Sequence, residues 1–349
     1  MADDSLTHLE TVHRRLLWLA SWTVHNANHL REAGEGDVKV GGHQASSASM
    51  AAILTALYFH VLRPEDRVAV KPHAAPIFHA MQYLMGNLPL PMLQNFRGFG
   101  GVQSYPSRTK DVDDVDFSIG SVGLGAAMPI FASLVQDFLQ GHGRKAPLGR
   151  MVALIGDAEL DEGNIYEALQ EGWKHDLRNV WWVIDYNRQS LDGVVREGLF
   201  ARIEAIFSAF GWRVLRLKYG TLQRAAFAET GGEALKQWID DCPNALYSAL
   251  TFQGGAAWRR RLMDDLGDQG PVTALIDRRS DEELAALMEN LGGHCLQSLC
   301  EAFDQATGDE PTGGRAETGK GGGTPSAGHK DNHAGGRTPA QREGRRAAR

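Results

Sequence analysis

Residues 151–193 read MVALIGDAELDEGNIYEALQEGWKHDLRNVWWVIDYNRQSLDG, and the breaks in this stretch decide the fold. Val152 to Ile155 is a short apolar run that stops at Gly156-Asp157. Asn164 to His175 carries Ile165, Ala168, Leu169 and Trp173 at helical spacing. Val180 to Ile184 is a second apolar run, which stops at Asp185-Tyr186-Asn187. Strand, acidic turn, helix and strand in that order predict a βαβ unit with two parallel strands. Asp157 and Asn187 then stand at the carboxyl ends of strands, the edge at which open α/β sheets bind ligands. A carboxylate and an amide oxygen converging there can hold a hard cation. Mg²⁺ suits such oxygens and usually keeps a phosphate as well.

The whole chain has 349 residues, enough for one large α/β domain or two small ones. A hydrophobic content of 43% and a charged content of 23% are those of an ordinary globular protein. A net charge of −7 argues against a nucleic-acid partner. Cys242, Cys295 and Cys300 form no CxxC pair, which points to a reducing compartment and no metal framework. No apolar run reaches the length of a membrane span, and the acidic start has no signal-peptide core. A cytoplasmic location is expected, with no membrane partner.

On the amino-terminal side, Leu9 to Leu30 predicts a helix with a broad apolar side. Gly41-Gly42-His43-Gln44-Ala45-Ser46 leads into a further helix from Ala48 to Leu62, so His43 and Ser46 fall near a helix amino end, where anions bind. The same residues also allow a plain loop histidine with Ser46 as N-cap. Arg67 to Val70 is a strand candidate followed by Lys71-Pro72-His73, and His79 is given no role inside the next helix. The run from Asp111 to Asp116 lacks calcium-loop spacing and is expected to be a solvated loop. Ser121, Val122 and Gly123 belong to a small-residue loop, 118–125, that opens a helix to Gln140.

GDAELDEG…VIDYNRQSLDG resembles a phrase close to GDGEMDEP…INCNLQRLDG in the homodimeric type of pyruvate dehydrogenase decarboxylase component, within the transketolase superfamily. GGHQAS resembles that family's GGHMAS, SIGSVGLG its TVSMGLG, QSYPS its SYP, and LGGH its RGGH. The resemblance covers roughly residues 9 to 310. It implies a doubly wound α/β domain, mainly parallel and flanked by helices, of the thiamine diphosphate-binding fold. It also implies thiamine diphosphate and Mg²⁺ as cofactors. By the same match, Asp157, Asn187 and the Gln189 carbonyl would be the metal ligands. Ser46, His73, Ser121, Val122, Gly123, Ala158, Glu159 and Asn187 would line the cofactor, and His43 and His333 would be the catalytic histidines. Ala158 stands where the family has Gly; this costs about 1 kcal/mol if the position needs a positive φ and little otherwise.

The implied activity is oxidative decarboxylation of a 2-oxo acid such as pyruvate, within a homodimer or a larger complex that includes an acyltransferase component. Ketol transfer between sugar phosphates is the alternative enzyme reading. The family's second, pyrimidine-binding domain supplies the glutamate that activates the cofactor ring, and 349 residues leave no room for it. That domain is therefore expected from another chain, and a truncated, non-catalytic fragment is the third reading. Residues 1–310 are expected to form the diphosphate domain. Residues 311–349, rich in Gly and basic, are expected to be a disordered tail with no strand.

Overall fold

The computed structural model describes residues 3–32, 41–120, 122–145, 147–187, 189–190, 193–194, 198–268, 270–306, 309–329 and 332. The strands are β1 (Arg67–Ala69), β2 (Met151–Gly156), β3 (Val180–Tyr186), β4 (Gln189–Ser190), β5 (Gly193–Val194), β6 (Arg213–Leu217) and β7 (Thr312–Glu317). Among the described residues, five of them form one sheet in the order β1-β2-β3-β7-β6, and every neighbouring pair is parallel. β2 and β3 are adjacent, with Gly156 paired to Asp185.

Side-chain alternation in these strands builds two cores, one on each face of the sheet. Val152, Leu154, Trp181 and Val183 join the cluster under helices Asp3–His25, Ala51–Ala56, Ala75–Leu84 and Leu296–Gln305. Met151, Ala153, Ile155, Trp182 and Ile184 join the cluster under helices Leu124–Gly141, Gly163–Lys174 and Leu199–Ala209. This is the doubly wound α/β fold. Between β6 and helix Leu296–Gln305 the chain inserts a helical unit with its own core, built on Trp258, Leu262, Leu284 and Met288. Its last helix, Asp281–Glu289, starts at a capping box, in which the Ser280 hydroxyl accepts from the Glu283 N–H and the Glu283 carboxylate from the Ser280 N–H.

The expectation of a strandless tail from residue 311 is corrected. β7 is an interior strand of the sheet, bonded to β3 on one side and to the edge strand β6 on the other. Gly313 and Gly314 bring no side chains, yet an interior strand needs only backbone partners and neighbours that fill the space. Trp182, Phe207 and Trp212 supply the bulk on one face, and Trp181 stacked on Phe303 supplies it on the other. The chain then closes back on the amino-terminal region, where the Gly321 N–H donates to the Ala45 carbonyl at 3.0 Å.

A buried ion pair ties the amino ends of β1 and β2 together. Asp66 accepts from the Arg150 backbone N–H at 2.7 Å, from its Nε at 3.0 Å, and from the Arg63 N–H at 2.8 Å. Burial alone would raise the Asp66 carboxyl, but Arg150 and these N–H groups hold it below its usual value. A depressed folded-state value gives stability that is present above the unfolded value, about 3.9, and lost as pH falls through the folded one. Asp66→Asn should therefore lower the urea midpoint at pH 7, and the gap to wild type should narrow below about pH 4. A gap that does not change with pH would show that the charge is unimportant.

A candidate cofactor and metal site at the carboxyl edge

The acidic turn after β2 is a 3-10 turn over Asp157–Asp161. The Glu159 carboxylate closes it by accepting the Gly156 N–H at 3.0 Å. Asp157 and Asn187 are both buried, at 5% and 6% exposure, on adjacent strand ends. Such exposures are unusual for these residue types and call for polar partners. The Ala158 N–H meets Asp157 Oδ1 at 3.0 Å. Ala158 does not have a positive φ, so the exchange for Gly is close to neutral here. β4, which carries Gln189, pairs antiparallel with β5 and packs against the 157–161 turn.

Beneath these residues lies a charged group that the sequence reading passed over. Lys71 and Asp185 form a fully buried pair, Nζ to Oδ2 2.6 Å. The Ser49 hydroxyl is 2.6 Å from the same oxygen, and the Thr318 hydroxyl donates to the other. Burial pulls the Lys71 ammonium down, but Asp185, with Asp157 and Glu159 farther off, more than offsets this and holds it above its usual value. Burial would raise Asp185, yet Lys71, Ser49 and Thr318 keep it below the usual carboxylate range. Glu159 goes the other way: desolvation pushes it up to about 7 despite the Gly156 N–H and Lys71. The signal for Asp185 was in the text itself, since IDYN carries a carboxylate where the resembling INCN has an amide.

Lys71 and Ser49 bring in the two histidine segments. His43 is the N-cap of helix Gln44–Ala48, with Ser46 buried in its body. His73 sits in the 3-10 turn Pro72–Ala74. The His43 and His73 rings lie 4.1 Å apart, and Tyr105 is 6.1 Å from His73. The small-residue loop reaches the same edge. The Val122 carbonyl accepts from Asn164 Nδ2 at 2.8 Å, in the helix that follows the acidic turn. Gly123 has φ +77 there, and a Cβ would stand 2.3 Å from Asn164 Oδ1, so glycine is required. Ser121 and His333 lie outside the described residues. A cavity of about 210 Å³ opens beside Asn187, lined among others by His13, Glu289, His294 and Lys320.

The run from Asp111 to Asp116 is not a solvated loop. Asp113 bonds His79 Nδ1 at 2.6 Å, and His79 Nε2 meets the Gln103 carbonyl at 3.0 Å. Asp111 accepts the N–H groups of Gln103 and Ser107, and Asp116 that of Val68. His79, Asp111 and Asp113 could bring three ligand atoms within 4.8 Å. Both ring nitrogens and both Asp111 oxygens are already engaged, so this cluster pins the glycine-rich 98–110 segment to helix Ala75–Leu84.

The family described as transketolase, thiamine diphosphate binding domain matches residues 37–234, more than half of the chain. The chain belongs to this family. Among curated relatives, the pyruvate dehydrogenase E1 component of Cupriavidus necator is 30% identical over 331 residues, covering 90% of this chain and 36% of the relative. That of Escherichia coli is 29% identical over 286 residues, covering 78% of this chain and 32% of the relative. The chain thus spans about a third of the length of these relatives. A solved transketolase from Campylobacter jejuni matches with a TM-score of 0.66 at 19% identity, over 100% of this chain and 43% of that one, and shows the transketolase-type fold. No helix among the described residues is long and apolar enough to cross a membrane.

Proposed function

We propose that this chain supplies the diphosphate- and metal-binding half of a thiamine diphosphate-dependent 2-oxo acid decarboxylase, the first component of a dehydrogenase complex. The observation that carries the reading is the burial of Asp157 and Asn187 just past the ends of two adjacent strands, at a turn with the DAELDEG text. The donor set fits Mg²⁺: a carboxylate, an amide oxygen and the Gln189 carbonyl are hard oxygen ligands. Ser46, His73, Val122, Gly123 and the Ala158 and Glu159 N–H groups, with Ser121, would receive the diphosphate.

The cofactor, when bound, would supply the nucleophile and electron sink for cleavage next to a carbonyl. The chain's own residues do the placing. Asp157 and Asn187 would hold the cation that offsets the charge of the diphosphate. His43, beside His73, can hold or pass a proton near the substrate carbonyl, because an imidazole nitrogen can donate or accept. His333, by the family resemblance, is assigned the same task. The relatives named pyruvate dehydrogenase E1 component favour pyruvate as substrate. A pyrimidine-binding domain would complete the site, in a homodimer or in a complex with an acyltransferase component. Phe131, Val135 and Phe138, solvent-exposed along helix Leu124–Gly141, are consistent with such assembly.

Calorimetry tests the site. Thiamine diphosphate should bind in Mg²⁺, and Asp157→Ala should remove the Mg²⁺-dependent part of that binding. Unchanged affinity in the variant would refute the assignment. Mixing with a pyrimidine-binding domain should then give pyruvate turnover with an artificial electron acceptor. Turnover of a ketose phosphate in its place would move the chain to ketol transfer, and no turnover of either would mark a non-catalytic fragment.

A further inference from the structure

We propose that Lys71 is an additional contact for the cofactor's diphosphate, an ammonium built into the floor of the site that holds a phosphate oxygen beside the metal on Asp157. The inference rests on the cofactor reading above and adds a residue to it. An ammonium has three N–H donors. Among the described residues, the Lys71 side chain has one hydrogen-bond acceptor, Asp185 Oδ2, although the side chain is only 4% exposed. Buried donors are seldom left unmatched, and a buried charge least of all.

The ammonium's position gives the missing acceptor an identity. Lys71 lies over Gly156, the residue before Asp157: a Cβ there would come within 3.1 Å of Lys71 Cε and 3.5 Å of Nζ. Glycine at that strand end therefore makes room for the lysine. The same notional Cβ is 3.5 Å from Glu159 Oε1, so the ammonium borders the acidic turn as well as Asp185. A fixed cation at the metal-binding edge suits a polyanion, as lysine serves as a point charge for phosphate elsewhere. Asp185, held by Ser49 and Thr318, keeps the lysine from swinging away. A buried pair needed only for packing could be replaced by a neutral hydrogen-bonded pair at little cost.

The test uses the full chain, with thiamine diphosphate and, separately, inorganic pyrophosphate as probes, titrated in saturating Mg²⁺ and in EDTA. Lys71→Gln/Asp185→Asn keeps a neutral hydrogen-bonded pair in place. We expect wild type to bind pyrophosphate measurably in EDTA. The double variant should lose this and bind thiamine diphosphate in Mg²⁺ about 10- to 100-fold more weakly, the range for a hydrogen bond to a charged group. Asp157→Ala should keep the metal-free pyrophosphate binding, which tests the idea without touching the pair. Affinities of the double variant within about twofold of wild type in both media, for both probes, would overturn the proposal. So would loss of the metal-free binding in Asp157→Ala, which would show that it depends on the metal-ligand turn and not on the Lys71 ammonium. Wild type that binds neither probe even in Mg²⁺ would instead remove the cofactor reading, and the proposal with it.

Discussion

Lys71→Met should lower the unfolding free energy by about 3–5 kcal/mol, among the largest losses expected from one substitution in this chain. The argument starts from Asp185, which is fully buried at the end of β3. Its low protonation tendency in the fold depends on Lys71 first, and on two hydroxyls after it. Methionine fills the space of the lysine stem but leaves a carboxylate with no cation. The protein must then bury an uncompensated charge or protonate Asp185 at neutral pH, and either route draws on the stability of the fold. Removing one partner of a buried pair therefore costs far more than the pair contributes. The contrast is with Lys71→Gln/Asp185→Asn, which should lie within about 1.5 kcal/mol of wild type, because both groups become neutral together. Urea unfolding at pH 7 reads both values. Equal stability of Lys71→Met and wild type would mean that the pair is open to water, against its observed burial.

The same pair shows what could and could not be read from the chain. Strands, helices and their order are local patterns. Val152 to Ile155 and Val180 to Ile184 carry them openly, so the βαβ unit and the carboxyl-edge placement of Asp157 and Asn187 follow directly. The partnership of Lys71 with Asp185 spans 114 positions and has no periodicity to betray it. Only the exchange of an amide for Asp185 in IDYN hinted at a compensating charge. Asp111 to Asp116 misled for a related reason. A run of acids is usually solvated, but here separate members cap N–H groups of Val68, Gln103 and Ser107 and one meets His79. β7 misled in the opposite sense. Strand recognition rests on apolar side chains, and TGGRAE has almost none, since its neighbours supply them.

That account of β7 has its own large consequence. Trp182 is fully buried, sits beside Gly313 in the sheet, and packs at 4.8 Å on Trp212 and 5.8 Å on Phe207. It occupies room that a normal strand would fill from position 313. Trp182→Ala removes the ring where the adjacent residue has nothing to offer in its place, so the cavity cannot close by a small shift. Such truncations cost about 3–5 kcal/mol. Among the described residues the buried Trp182 indole N–H has no acceptor, and its loss returns about 1 kcal/mol, which places the expected value near the lower end. Gly313→Ala should act in the other direction. Its Cβ would stand 3.9 Å from the Phe207 ring, an ordinary contact, and its φ is not positive. Reducing the freedom of the unfolded chain should then stabilise by about 0.4–1 kcal/mol. Opposite signs in urea unfolding would confirm that aromatic neighbours, and not the strand's own residues, build the packing around β7. Destabilisation by Gly313→Ala comparable to that by Trp182→Ala would show instead that β7 is held by backbone packing too tight for any side chain.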